Sequence, residues 1–357
     1  MDIGKGIAMI SIVCEHISSD FFPVWLTAFW PVAFFFVVAG FFLKEETLLR
    51  PVGFIRHKFM TIYLPGTIIY VLAVLLHNVF VRNGCYPLGA EHPMTHEAFA
   101  MWDTKTCIIK TLKTVVAPNG ELVMGAMWFL YALFFSLCFL SLSAVVAKRV
   151  SKEKLTTNSV LWLILVLTAT LSIWLSTHGI KIPRISNAVT IMIFIQCGML
   201  MRQKLKWNYD SWCCGIIALV IYAQRIILPH GYMSFAVGLY PDLILPLASS
   251  VAATYFVLFI SKKIERLKNV TTVLTYIGRK SLYIMALHIA GFFLCTKLID
   301  IMGLGTDLNM SAMLYTYRTG ANALLAAMYL LFGIGVPLLI MFIYDKAKAL
   351  IIQYTHN

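Results

Sequence analysis

Two residues of the first apolar stretch have side chains that can bind an anion and transfer a proton. Lys5 and His16 are eleven positions apart in the segment MDIGKGIAMISIVCEHIS. Eleven residues are close to three helical turns, so on one α-helix both side chains lie on the same face, roughly 16 Å apart along the axis. An imidazole accepts protons near neutral pH, and a lysine ammonium binds anionic groups. The alternative is a hydrogen-bonded core histidine and a lysine that only sets membrane topology.

The composition places this helix in a membrane. Of 357 residues 60% are hydrophobic and 13% are charged, against about 25% charged in a soluble domain. Because a spanning helix needs about 20 apolar residues, we predict an all-α polytopic membrane helix bundle of about ten transmembrane helices. The candidate spans are residues 3–17, 25–43, 59–81, 122–147, 159–177, 185–201, 211–228, 239–260, 281–303 and 320–343. Residues 1–357 are expected to be one transmembrane domain with no separate soluble domain.

The net charge of +13 is explained by the direction of insertion. Most of the 29 Lys and Arg residues fall in alternate segments between spans, as the positive-inside rule requires. This pattern predicts that both termini are cytoplasmic. Nucleic acid is not expected as a partner, because no basic stretch is interleaved with aromatic residues on a soluble module.

The longest polar segment, residues 82–121, is predicted to be an extracytoplasmic loop within the domain. It contains Cys85 and Cys107, and their spacing leaves a disulfide open. Pro93 between His92 and His96 argues against a helical pair of metal ligands. No metal cofactor is therefore expected.

Ionisable residues inside spans are costly and mark a site or a pathway by default. His77 and His288 lie in predicted spans. Arg225 and Asp242 lie near span ends, where they are expected to form a structural pair across a short loop.

Four segments in fixed order resemble motifs of the acyltransferase-3 family of membrane O-acyltransferases, especially the fucose 4-O-acetylase type. They are Asp2-x-x-Lys5-Gly6 with His16, PVAFFFVVAGFF at 31–42, Trp128-Phe129-Leu130, and IGRKSLYIMALH at 277–288. Three departures occur. Ala39 replaces the family's Ser, Tyr283 is displaced from the expected position, and the Arg-x-x-Arg of the first cytoplasmic loop is absent, with Arg56, His57 and Lys58 in that region.

The resemblance implies transfer of an acetyl group from acetyl-CoA to a hydroxyl of a cell-surface or lipid-linked carbohydrate. His16 would act as a general base or as a covalent acyl relay. Glu15 beside it completes the predicted catalytic set, although it points about 100° away around the helix. An orienting acid would come from elsewhere, and Glu121 and Asp242 are candidates.

Each of the remaining predicted site residues is expected to bind either the acyl donor or the acceptor. Lys5, Arg56 and Lys58 are expected to bind the phosphates of the coenzyme, and Trp128 and His288 are expected to bind the acceptor. Acetyl-CoA is a co-substrate here, and no other cofactor is implied.

The expected partners are the acyl-CoA donor, the carbohydrate or glycolipid acceptor and the bilayer, with a homodimer left open. The resemblance also implies a multi-pass protein of a bacterial-type inner (plasma) membrane. A transporter or flippase for a glycolipid or small solute is the main rival function, and an inactive membrane scaffold is a third. Against the transporter, the two halves of the sequence show no internal repeat.

Overall fold

The structure of the chain, a computed structural model, is helical throughout the part that it describes. The described residues are 1–17, 22, 29–86, 88–89, 98–116, 121–151, 153–180, 185–203, 209–227, 234–236, 238, 244–304 and 322–355. No β-strand is found in these ranges. The predicted all-α class is thereby confirmed.

Fifteen α-helices occur in the described ranges, and they are numbered here in chain order. They are α1 (Asp2–Glu15), α2 (Trp30–Phe41), α3 (Glu45–Leu48), α4 (Pro51–Lys58), α5 (Leu64–Leu75), α6 (His77–Arg82), α7 (Thr104–Val116), α8 (Trp128–Val150), α9 (Lys154–Thr177), α10 (Ile185–Gln203), α11 (Trp212–Ile227), α12 (Ile244–Ile264), α13 (Lys268–Arg279), α14 (Ser281–Ile301) and α15 (Ala323–Thr355). A π-helical turn, Phe59–Tyr63, precedes α5, and a 3₁₀ segment, Leu122–Met127, precedes α8.

Seven helical stretches of the described chain are long and apolar enough to cross a bilayer. They are Pro51–Leu75, Leu122–Val150, Thr157–Thr177, Ile185–Gln203, Ile244–Ile264, Ser281–Ile301 and Ala323–Leu350. Each coincides with a predicted span, so the chain is an integral membrane protein.

The other three predicted spans contain shorter helices, and the count of ten is not confirmed. Helix α1 has 14 residues, α2 has 12 and α11 has 16. At 1.5 Å per residue these helices are shorter than a hydrocarbon core of about 30 Å. The cytoplasmic location of the termini stays a prediction.

The chain divides into two compact units, which are described separately. The first unit comprises Met1–Ala28, Ile69–Met127 and Leu267–Asn357. In it α1 packs along α13, and α14 packs along α15. Close approach of α1 and α13 requires glycine, because a Cβ on Gly6 would overlap the carbonyl oxygen of Leu274, and one on Gly278 would overlap that of Asp2. Such small-residue contacts are typical of helix pairs in membranes.

The second unit comprises Phe29–Ile68 and Trp128–Arg266. Here α2 packs against α10, and α11 packs against α12. Gly40 and Gly198 allow the backbones of α2 and α10 to touch, since a Cβ on either would overlap a carbonyl oxygen of the facing helix. Around this contact the rings of Phe29, Phe36 and Phe235 form an aromatic cluster.

Candidate active site

Two histidines from distant parts of the sequence stack on each other in the first unit. His16 follows the last residue of α1, and His288 lies in α14. Their ring centroids are 5.1 Å apart and the ring planes are inclined by 30°. His288 is fully buried, whereas His16 is partly exposed. His16 is therefore the more exposed residue of this pair.

Two backbone carbonyls fix the hydrogen position on His288. Its Nδ1 lies 3.0 Å from the carbonyl oxygen of Ile284 and 2.9 Å from that of Met285. Because a carbonyl oxygen only accepts, Nδ1 carries the hydrogen, and in the neutral ring Nε2 keeps its lone pair. No group in the described part of the chain hydrogen-bonds this Nε2. A buried nitrogen without a partner is uncommon and is typical of functional sites.

Aromatic packing holds the His288 ring in place from its other side. Phe292 lies edge-on to His288 with centroids 5.6 Å apart, and Tyr329 of α15 lies edge-on to Phe292 at 5.8 Å. The hydroxyl of Tyr329 is 2.9 Å from that of Thr296. All three supporting side chains are buried, so the position of His288 is fixed by the contact between α14 and α15.

Lys5 lies at the opposite end of α1 and is paired with Asp2. Lys5 Nζ donates to Asp2 Oδ1 at 3.2 Å, and Arg279 Nε donates to Asp2 Oδ2 at 3.3 Å. Asp2 therefore links the first turn of α1 to the end of α13. Partial burial raises the pKa of the Asp2 carboxyl, but Lys5 and Arg279 outweigh it, so this pKa lies below its ordinary value.

The two predicted acidic candidates that the structure describes, Glu15 and Glu121, form no ion pair with His16. Glu15 is exposed at the end of α1 and makes no ion pair with any residue that the structure describes. Glu121 is buried, and its two carboxylate oxygens contact His77 and Tyr86. Asp242, the second candidate for an orienting acid, lies outside the described residues, as do His92 and His96.

The cluster around Glu121 is the feature that the sequence did not predict. Tyr86 donates to Oε2 at 2.6 Å, and His77 Nδ1 lies 2.9 Å from Oε1. The ring of His77 stacks on Trp102 with centroids 3.4 Å apart. His77 and Glu121 were each visible as polar residues near apolar stretches, but their separation in the chain gave no signal that they pair.

The other three predicted site residues belong to the second unit. Arg56 is exposed on α4, and Lys58 Nζ lies 5.5 Å from the ring centroid of Phe54. Trp128 begins α8, is partly buried and lies edge-on to Phe129 at 6.3 Å. Within the first unit, the structure thus brings His16 and His288 together and places Lys5 at the far end of the same helix as His16.

Neither a disulfide nor a metal cluster forms among the described residues. Cys85 is a buried free thiol, and Cys107 is a partly buried one. No three His, Cys, Asp or Glu side chains of these residues converge as metal ligands. The side chains of the first unit that can transfer a proton or bind an anion are therefore its histidines, Lys5 and the buried Glu121.

A comparison with protein families accounts for nearly the whole chain. A family model for an acyltransferase domain, Acyl_transf_3, matches residues 1–345. No curated protein and no solved structure matches the chain. The matched range includes both stacked histidines, Lys5 and all seven candidate spans except the end of the last one. This integral membrane protein belongs to the acyltransferase-3 family and is a membrane acyltransferase.

Proposed function

We propose that the protein transfers an acetyl group from acetyl-CoA to a hydroxyl of a cell-surface or lipid-linked carbohydrate, with His16 as the group that accepts the hydroxyl proton. The stack of His16 on His288 is the observation that carries this proposal. It places a partly exposed imidazole beside a buried ring whose tautomer is fixed by the backbone.

The acceptor hydroxyl is a weak nucleophile until a base takes its proton. In the proposed step the hydroxyl oxygen forms a bond to the acetyl carbonyl carbon, the carbon–sulfur bond of the thioester breaks, and the proton moves to His16. His16 then returns this proton to the departing thiolate. The products are the O-acetyl ester and the free coenzyme thiol.

His288 is proposed to orient His16 for this step. The two rings stack with centroids 5.1 Å apart, so the orientation of one constrains the other. The hydrogen bonds from Nδ1 to the carbonyls of Ile284 and Met285 keep the His288 ring in one orientation. His288 is thus proposed as a positioning residue for His16, in addition to its expected role at the acceptor.

Lys5, Arg56 and Lys58 are proposed to bind coenzyme phosphates. Lys5 is 26% exposed at its side chain and shares Asp2 with Arg279, so a phosphate must compete with this carboxylate for the ammonium. Arg56 is exposed, so a phosphate reaches its guanidinium without displacing a buried group. The proposed location is the inner membrane of a bacterial-type cell.

The test is transfer of labelled acetyl from acetyl-CoA by the purified full chain in lipid nanodiscs, with a panel of saccharide acceptors. His16→Ala is expected to reduce kcat/KM by about 10²-fold or more, the usual contribution of a general base. His178→Ala is the matched control, because His178 is an exposed histidine at a helix end that packs on Trp174.

Two results would overturn the proposal. Transfer by His16→Ala at the wild-type rate would show that this imidazole takes no part. Failure of the wild type to transfer or hydrolyse acetyl from acetyl-CoA, in a folded sample and with every acceptor, would show that the donor is another acyl compound.

A further inference from the structure

A cavity of about 660 Å³ opens in the second unit where four helices begin or end. The ends of α2, α8 and α10 and the beginning of α9 surround it, and the short helix α3 lines one side. Its polar lining includes Lys44, Glu45, Glu46, Lys148, Gln196 and Arg202. This volume is typical of small-molecule sites. The positive-inside pattern predicts that this end of the unit faces the cytoplasm.

Three cations line the cavity without a carboxylate partner. Lys44, Lys148 and Arg202 form no ion pair with any residue in the described ranges. The only carboxylates of the lining are Glu45 and Glu46, and Glu45 also accepts a hydrogen bond from Gln203 at 3.5 Å. Three cations against two carboxylates leave the lining with a net charge of +1, and the cations form no ion pair with these carboxylates. Lysine and arginine side chains in this arrangement bind phosphate groups.

A buried amide gives a second and independent sign of a ligand. Gln196 lines the cavity and is 4% exposed, and its Oε1 has no hydrogen-bond partner among the described residues. Gln196 lies seven residues before the end of α10, which is about 10 Å along the helix. An unsatisfied amide oxygen at this depth favours a ligand that donates a hydrogen bond.

We propose that this cavity binds a phosphate ester that carries hydroxyl groups. The phosphate contacts Lys44, Lys148 and Arg202 at the mouth, and a hydroxyl donates to Gln196 further in. A fully ionised phosphate has no hydrogen to donate, so Gln196 requires the hydroxyl of the same ligand. A glycerol phosphate has this chemistry, either as the headgroup of a phosphatidylglycerol or as the free metabolite. The inference does not depend on the proposed acetyl transfer.

The competing explanation is that the three cations only fix the orientation of the chain. Arg149 separates the two explanations, because it is exposed, follows Lys148 directly in α8 and does not line the cavity. If these cations only fix membrane topology, substitution of Lys148 and of Arg149 should have the same effect on ligand binding. If the cavity binds a ligand, substitution of Lys148 should weaken binding more than substitution of Arg149.

The experiment measures binding to the purified full chain without coenzyme A. Native mass spectrometry measures binding of phosphatidylglycerol against phosphatidylcholine, and calorimetry measures binding of glycerol 3-phosphate against propyl phosphate, a phosphate ester without free hydroxyl groups. One glycerol phosphate group per chain is expected. Lys148→Gln and Arg202→Gln should each weaken its binding about tenfold, as loss of one charged hydrogen bond does, whereas Arg149→Gln should change it less than about twofold. Gln196→Leu should weaken binding of glycerol 3-phosphate and leave binding of propyl phosphate unchanged.

The outcomes separate the two sources and the two explanations. Tight binding of phosphatidylglycerol with weak binding of glycerol 3-phosphate identifies a lipid headgroup site. Tight binding of glycerol 3-phosphate with weak binding of phosphatidylglycerol identifies a site for a soluble metabolite. The proposal would be overturned if Lys148→Gln and Arg149→Gln weakened ligand binding equally. It would also be overturned if neither phosphatidylglycerol nor glycerol 3-phosphate bound at millimolar concentration. Lys148 and Arg202 are exposed, so their variants are expected to fold.

Discussion

His77 and Glu121 share one proton inside the first unit. His77 Nε2 lies 3.1 Å from the carbonyl oxygen of Ala100, which only accepts, so Nε2 carries a hydrogen. Nδ1 lies 2.9 Å from Glu121 Oε1. That contact is attractive only if a proton lies between the two atoms, either on Nδ1 beside a carboxylate or on Oε1 beside a bare nitrogen. The buried hydrogen bond therefore requires both side chains, and loss of either one leaves the other without its partner.

Glu121→Ala should destabilise the protein strongly. The change leaves the Tyr86 hydroxyl and His77 Nδ1 without their buried partner, and breaking a buried pair in this way costs about 3–5 kcal/mol. Glu121→Gln should retain most of the stability, because the amide can accept from Tyr86 and donate to a bare Nδ1. The measurement is the midpoint of thermal unfolding in detergent.

The two variants must differ for this explanation to hold. Equal midpoints for Glu121→Ala and the wild type would mean that the cluster contributes no net stability. Equal and large losses in both variants would mean that the charge of Glu121, rather than its hydrogen bonds, is essential.

The sequence predicted the class of fold well because hydropathy is a local property. Seven predicted spans coincide with long apolar helices. The shorter α1, α2 and α11 differ because apolar composition does not show where a helix ends. In α1 the described helix ends at Glu15, whereas the predicted span continued to residue 17.

The candidate site residues were proposed one by one from the sequence, and their roles stay predictions, but the contact between His16 and His288 was not anticipated. His16 and His288 were each expected to act, one on the proton and one on the acceptor. Their contact depends on how α1 packs beside α14, and a single sequence carries no signal for such a long-range contact. The pairing of Lys5 with Asp2 was equally hidden, because the same lysine suits a phosphate site and an ion pair one turn away.

His288→Asn should lower kcat without raising the KM for acetyl-CoA. The asparagine amide can replace Nδ1 as donor to the carbonyl of Ile284, but it removes the ring on which His16 stacks. Because a small misplacement of a catalytic group is enough to slow the chemical step, we expect a decrease of about 10- to 100-fold.

His178→Asn is the matched control for this kinetic experiment. His178 Nδ1 also bonds the carbonyl four residues earlier, that of Trp174, at 2.8 Å, but His178 is exposed. Its variant should keep the wild-type rate. An unchanged kcat in a folded His288→Asn protein would contradict the role given to the ring.

Lys5→Ala should raise the KM for acetyl-CoA about tenfold and leave kcat nearly unchanged, because loss of one phosphate contact weakens binding of substrate and transition state alike. Asp2→Asn removes the competing carboxylate, so its KM should be equal to or below that of the wild type. Lys348→Ala, at an exposed position of α15, is the control.

The same two variants also test the purely structural alternative. If Lys5 serves only to pair with Asp2, both Lys5→Ala and Asp2→Asn should lower the unfolding midpoint, Asp2→Asn by more because it also removes the pair with Arg279, and neither should change KM. A loss confined to kcat in Lys5→Ala would also argue against phosphate binding.

Gly278→Ala should displace α1 from α13. The new methyl group would overlap the carbonyl oxygen of Asp2, and overpacking of this kind costs about 1–3 kcal/mol. Because His16 follows the last residue of α1, the displacement should also reduce acetyl transfer. Gly53→Ala is the control, since nothing lies within 4 Å of a Cβ at that position of α4, and there stability should be unchanged or higher. Equal stability of Gly278→Ala and the wild type would show that the helices can separate at no cost.

Direct transfer and an acyl relay predict different masses after incubation with labelled acetyl-CoA alone. A relay requires that His16 attack the thioester carbon, which leaves an acetyl group on the imidazole until an acceptor hydroxyl removes it. Direct transfer leaves no adduct, because His16 holds only a proton. Because the proposed general base holds only a proton, we expect no acetyl adduct on the intact protein in mass spectra recorded within seconds of mixing at neutral pH, where an acetylimidazole survives longer than in acid. A labelled peptide that contains His16 in the wild type, and is missing in His16→Ala, would establish the relay instead.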